Sequence, residues 1–138
     1  SPDGRPQLLV IESDQTVCRV LEAHGRDRFR FHFAESLSDR ILARQWGEAI
    51  ERPLVSLIEI PDTRLETFAR LSQFRRSIPE MSTVLTVCYD CDYQLAADRL
   101  HELSERVVFR PFEAEPVILT LLGLSGTKAN TVTGGTNG

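Results

Sequence analysis

Hydrophobic and polar positions along the chain follow two alternating periods. QLLVIE (7–12), LVSLIEI (54–60), TVLTVC (83–88) and VVFR (107–110) are short apolar runs, the pattern of strands covered on both faces. RFRFHFA (28–34) alternates strictly, with Phe29, Phe31 and Phe33 on one side and Arg30 and His32 on the other. That pattern predicts a strand near a sheet edge, where His32 is a packed or solvent-facing residue. Helical spacing fills the gaps. Ser13 or Asp14 can N-cap a helix whose inner face carries Val17, Val20 and Leu21. A second helix is predicted over 36–47, with Leu37, Ile41 and Trp46 inward and Gly47 as its stop. A third runs over 63–76 with Leu65, Phe68, Ala69 and Leu71 inside, and a fourth over 91–103 with Leu95, Ala96, Leu100 and Leu103 inside. Pro116 suits the first turn of a fifth.

The order is strand then helix, five times. Strands separated by helices pair in parallel through right-handed crossovers. Such sheets place ligand chemistry beyond the carboxyl ends of the strands. Those ends read Glu12-Ser13-Asp14, Glu59-Ile60-Pro61-Asp62, Thr86-Val87-Cys88 and Arg110-Pro111. Carboxylates, a hydroxyl and a cation therefore converge on one edge of the sheet. VVFRPFEAEP (107–116) is the sharpest of these segments: a buried strand surfaces at Arg110, and Pro111 withholds the next backbone donor.

Composition narrows the reading. With 138 residues and 41% hydrophobic content the chain supports one domain with a substantial core. A net charge of −4 with no basic stripe argues against nucleic acid as a partner of this domain. No apolar run spans a bilayer, and three cysteines are too few and odd in number for a disulfide framework, so a cytoplasmic location is expected. Residues 1–6 read as a tail and 7–124 as the domain. The Gly/Thr/Asn-rich stretch 125–138 reads as a flexible linker or tail, which implies an output domain attached in a longer chain.

In LLVIESD, VLTV and VVFRPFEAEP the chain resembles the receiver domains of response regulators over residues 7–124. The resemblance implies a flavodoxin-like (βα)5 three-layer sandwich with a parallel sheet of order 2-1-3-4-5. It also implies a pocket with an acidic pair after the first strand, a phospho-accepting Asp after the third, and a Ser/Thr after the fourth. A Lys-Pro pair, usually joined by a cis bond, follows the fifth. Mapped here, the pocket is Glu12, Ser13, Glu59, Thr86, Arg110 and Pro111. Thr86 keeps the family's pattern. The acidic pair has become Glu12-Ser13 and the lysine Arg110. The acceptor position falls on Glu59 or, counted back from Pro61 without a gap, on Leu57; no register supplies an aspartate. One lost carboxylate leaves at most a weak Mg²⁺ site at Glu12 and Glu59. The expectation is a pseudo-receiver that needs no cofactor and performs no catalysis, with Glu59 and Arg110 in a salt bridge across the strand ends. A phospho-acceptor using an atypical acid with Mg²⁺ is the alternative.

Two further signals stand apart. Cys88-Tyr89-Asp90-Cys91 is a C-x-x-C at a strand-to-helix junction, which allows a thiol redox module, although the Gly-Pro and leading aromatic of redox pairs are absent. No further ligands accompany it to make a zinc site. No hydrolase triad and no phosphate-binding glycine loop occurs. The last helix carries Val117, Ile118, Leu119, Leu121 and Leu122 around most of its circumference. A surface helix apolar all round wants a partner, so these five residues are expected to form a homodimer or partner-docking interface.

Overall fold

The structure is a computed structural model that describes residues 4–38, 54–89 and 91–133, without the side chains of residues 91–92 and 127–133. The strands are β1 (Gln7–Ile11), β2 (Arg30–Ala34), β3 (Val55–Glu59), β4 (Ser82–Cys88) and β5 (Arg106–Arg110). The helices among the described residues are α1 (Gln15–Gly25), α2 (Leu65–Ser77), α3 (Cys91–Glu102) and α4 (Ala114–Thr133). All pairings are parallel and the order is β2-β1-β3-β4-β5, a flavodoxin-like α/β sheet. The helix predicted over 36–47 falls mostly outside the described residues, as do its core candidates Ile41 and Trp46.

Every residue of β1 is buried, and successive side chains enter different cores. Leu9 and Ile11 join Ile58, Leu71, Leu85 and Leu100 on the face covered by α2 and α3. Leu8 and Val10 join Leu21, Leu57, Val84 and Ile118 on the face covered by α1 and α4. The two outer strands are thinner. Phe29 is fully buried, whereas Phe33 on β2 is 42% exposed. His32, half-buried on β2, lies 2.6 Å from Gln7 Oε1 through Nε2. Desolvation, then the charge of Arg30, lowers its pKa.

Helix phase differs from expectation at four positions. On α1 the inner face is Cys18, Leu21 and Gly25, and Val20 points out. On α2 the face is Thr67, Phe68 and Leu71, continued by Phe74 and Ile78. Leu65 and Ala69 lie on its far side, as 100° per residue requires. On α3 Ala96 and Leu100 are buried, while Leu95 is 89% exposed. The apolar residues outnumber the positions that the sheet can cover.

The last helix needs the largest revision. Ala114, Val117, Ile118, Leu121 and Ser125 form one stripe at i, i+3, i+4 spacing and all are buried. Val117, Ile118 and Leu121 are therefore core, not interface as the sequence pattern led us to expect. Close approach to α1 explains it. A Cβ added at Gly25 would stand 2.7 Å from Ile118 Cδ1 and 2.9 Å from Phe31 Cζ, so glycine lets the two helices meet there. Of the five expected interface residues, Leu119 alone is well exposed and Leu122 is half-buried. The helix runs on to Thr133, through part of the stretch expected to be a flexible linker. Among the described residues no helix is long and apolar enough to cross a membrane.

Candidate functional site

The site forms where four strands end. β1 stops at Ile11 and α1 begins at Gln15, so Glu12, Ser13 and Asp14 make the turn between them. Asp14 is the N-cap: its carboxylate accepts from Thr16 N, which satisfies an otherwise orphaned helix donor. The turn also fixes Glu12, whose amide donates to Ala34 O on β2 and whose Oε2 accepts from Asp14 N at 3.0 Å. β3 ends in Glu59, which lies opposite Thr86 of β4. Leu57, the other register considered for the acceptor position, is buried in the core.

Arg110 closes the arrangement. The Arg110-Pro111 peptide is cis, as the resemblance implies. Arg110 Nη1 donates to Glu12 Oε1 at 2.6 Å and Nη2 to Glu12 Oε2 at 3.0 Å, a two-pronged pair. Nη1 also donates to Thr86 Oγ1 at 3.0 Å. The guanidinium carbon sits 5.7 Å from the centre of the Phe112 ring, within cation–π range. The hydrogen bond to Glu12 is the largest influence raising the Arg110 pKa, so its charge is permanent.

The expected bridge between Glu59 and Arg110 is thus secondary. Nη2 lies 3.8 Å from Glu59 Oε2, whereas Glu12 takes the whole fork. Glu59 is held from elsewhere: its Oε1 accepts both the amide and the hydroxyl of Ser13, at 2.9 and 2.8 Å. Ser13 is a donor to the neighbouring carboxylate, a role that the missing second acid did not announce. Burial separates the two acids. Glu12 is 2% exposed and Glu59 only partly buried. A buried carboxylate takes the tightest available cation because water cannot stabilise it there.

This geometry does not fit a bound Mg²⁺. The ion requires carboxylate oxygens free to enter a near-octahedral shell. Both oxygens of Glu12 are engaged by N–H donors, and the partner position holds a serine whose hydroxyl is committed to Glu59.

Two thiols border this site. Cys18, which the sequence analysis passed over, is buried under Glu12, with Sγ 3.8 Å from the Glu12 carbonyl oxygen. Burial first, then the charges of Glu12, Asp14 and Glu59, pushes its pKa up to about 11. In the native protein Cys18 should alkylate far more slowly than exposed Cys88. Its rate should climb about tenfold per pH unit until the thiol titrates. The folded thiol holds its proton above the unfolded value, so the associated stability is intact below the unfolded pKa. It is lost as pH rises through about 11. Peptide mapping of labelled protein across pH checks the two rate statements, which equal native rates for Cys18 and Cys88 would contradict, and urea unfolding across pH checks the stability one. Cys88 is exposed at the end of β4, and the side chain of Cys91 lies outside the described residues.

Solved structures share this architecture. A response regulator receiver domain protein (CheY-like) from Methanospirillum hungatei JF-1 superposes with a TM-score of 0.71 at 11% identity, over 93% of this chain and 99% of that one. The adenylate cyclase structure from Rhodopirellula baltica gives 0.72 at 14% identity, covering 96% of each chain. NtrX from Brucella abortus, in complex with ADP, gives 0.72 at 15% identity over 94% of this chain but 29% of its own. No family model and no curated protein sequence matches the chain. At these identities the likeness establishes a receiver-type fold.

Proposed function

We propose that this domain is a regulatory module of the response-regulator type, a pseudo-receiver whose pocket is closed by its own arginine. One observation carries the reading: both nitrogens of the Arg110 fork are seated on Glu12, the most buried acid of the site. In a receiver pocket, positive charge stabilises an incoming phosphoryl group. Here that charge is already neutralised from within. Neither Glu59 nor Leu57, the two registers for the acceptor position, is an aspartate, and Glu59 is tied to Ser13. The module then holds one conformation without phosphorylation and performs no catalysis.

Its output is dimerisation or partner docking that controls an attached domain in a longer cytoplasmic chain, with neither nucleic acid nor membrane as its own partner. The match to NtrX supports the longer chain, since this fold occupies a minor part of that protein. Leu119, 53% exposed on α4, and the exposed ring of Phe109 on β5 remain as apolar docking points. Phe109 packs edge-on against Tyr89 and Tyr93 at 5.0 and 4.8 Å between ring centres.

The test is a two-dimensional amide NMR titration with Mg²⁺ followed by beryllofluoride, a phosphoryl mimic. Amides of Glu12, Glu59, Thr86 and Arg110 are expected to stay in place at millimolar additive. Saturable shifts at those residues would instead establish a working phospho-acceptor pocket and end the pseudo-receiver reading.

A further inference from the structure

A cavity of about 380 Å³ opens between α1 and the start of α4, on the outer side of the Arg110 latch. That volume lies within the range of small-molecule sites, roughly 300–1,000 Å³. Its walls are mostly carbon, from Val17, Val20, Pro111 and Phe112, and its polar groups include Asp14 and Arg110. Val20 is 45% exposed, an apolar surface that a ligand would cover. We propose that this cavity binds a small organic cation, with an apolar body against Val17, Val20 and Phe112 and a protonated amine paired to Asp14.

The sign of the charge follows from what is already paired. Arg110 is the lining cation, and its fork is committed to Glu12, with Glu59 3.8 Å away. Arg110 is already paired with Glu12 and lies 3.8 Å from Glu59, and the Asp14 carboxylate lines the cavity besides, so the carboxylates outnumber the cation here. The amino end of α1 would otherwise attract an anion, but Asp14 caps it by accepting Thr16 N. An incoming carboxylate would meet Asp14, and Arg110, the lining cation among the described residues, is already neutralised by Glu12. An amine would find in Asp14 an exposed carboxylate beside carbon walls, where the pair is shielded on one side from water. The proposal goes beyond the latched-module reading, although Arg110 belongs to both the latch and the cavity wall.

The experiment is methyl and amide NMR titration with phenethylamine and, separately, 3-phenylpropionate, which share a phenyl group and carry opposite charges. Phenethylamine is expected to shift the methyls of Val17 and Val20 saturably, and phenylpropionate to bind at least about tenfold more weakly. Asp14→Asn keeps an N-cap side chain while removing the charge, and should weaken the amine by about tenfold or more. Val20→Trp, at a half-exposed position, fills the cavity and should abolish the shifts. Four results would each overturn the proposal: no saturable shift from phenethylamine up to about 10 mM, equal or tighter binding of phenylpropionate, an Asp14→Asn protein that binds the amine unchanged, or amine binding that survives Val20→Trp.

Discussion

Arg110→Met is expected to destabilise the folded domain by about 3–5 kcal/mol, the usual cost of leaving a buried charge without its partner. The Glu12 side chain is 2% exposed and that of Arg110 17%, so water reaches neither freely. Removing the guanidinium deletes two charge-assisted hydrogen bonds to Glu12 and one to Thr86. Of the hydrogen bonds to the Glu12 carboxylate described above, only that from Asp14 N would remain. Urea unfolding at neutral pH measures the loss. Arg110→Lys should fall between wild type and Arg110→Met, because an ammonium group cannot present the planar fork. The double variant Glu12→Met/Arg110→Met should recover most of the stability, since an apolar pair of similar volume often matches a buried ion pair. A cost under about 1 kcal/mol for Arg110→Met would put the pair in the class of solvent-exposed bridges and remove the physical basis of the latch.

Ile118→Glu should abolish folding. Ile118 is fully buried and packs where α1 and α4 touch at Gly25. A carboxylate there has carbon neighbours and no cation among the contacts described. Even Ile118→Ala should cost about 2–5 kcal/mol, from lost burial and the cavity left behind. Leu119→Glu makes the contrast. One residue along, the side chain is already 53% exposed, so the variant should keep the wild-type unfolding midpoint within about 0.5 kcal/mol. Circular dichroism and urea melts separate the two. Light scattering then reads the docking surface: a smaller assembly for Leu119→Glu than for wild type would support docking through α4, and identical masses would count against it. A well-folded Ile118→Glu protein would show that the stripe on α4 had been assigned to the wrong side.

The candidate site was legible in outline because strand ends are easy to find. Apolar runs with two-sided burial stop where a polar residue must surface, and parallel strands stop on the same side of the sheet. That reasoning brought Glu12, Ser13, Glu59, Thr86 and Arg110 to one edge, and the structure joins them by hydrogen bonds or an ion pair. Partner choice was not legible. From the sequence Glu59 and Arg110 looked like natural partners, yet the fork goes to Glu12. Phe112 and Cys18, which also touch the site, were missed; the aromatic two residues after Arg110 was the available signal for the first.

Helix phase shows the same division. Leu65 and Leu95 were read inward because they are leucines near other apolar residues, and both are exposed. Val117, Ile118 and Leu121 were read as an interface because α4 carries leucine on several sides, and all three are core.

The sequence by itself determined the order of elements, the parallel pairing and the set of side chains at the carboxyl ends of the strands. These follow from local periodicity and from the handedness of a single chain. Tertiary structure decided which carboxylate holds Arg110 and which face of each helix is buried. Both depend on quantities that no local pattern carries. The Asp14 amide and the depth of Glu12 make that acid the more demanding partner, and a glycine on α1 sets how closely α4 can approach. Competition among side chains for a buried charge, and for a limited area of sheet, is resolved only when all the elements are in place.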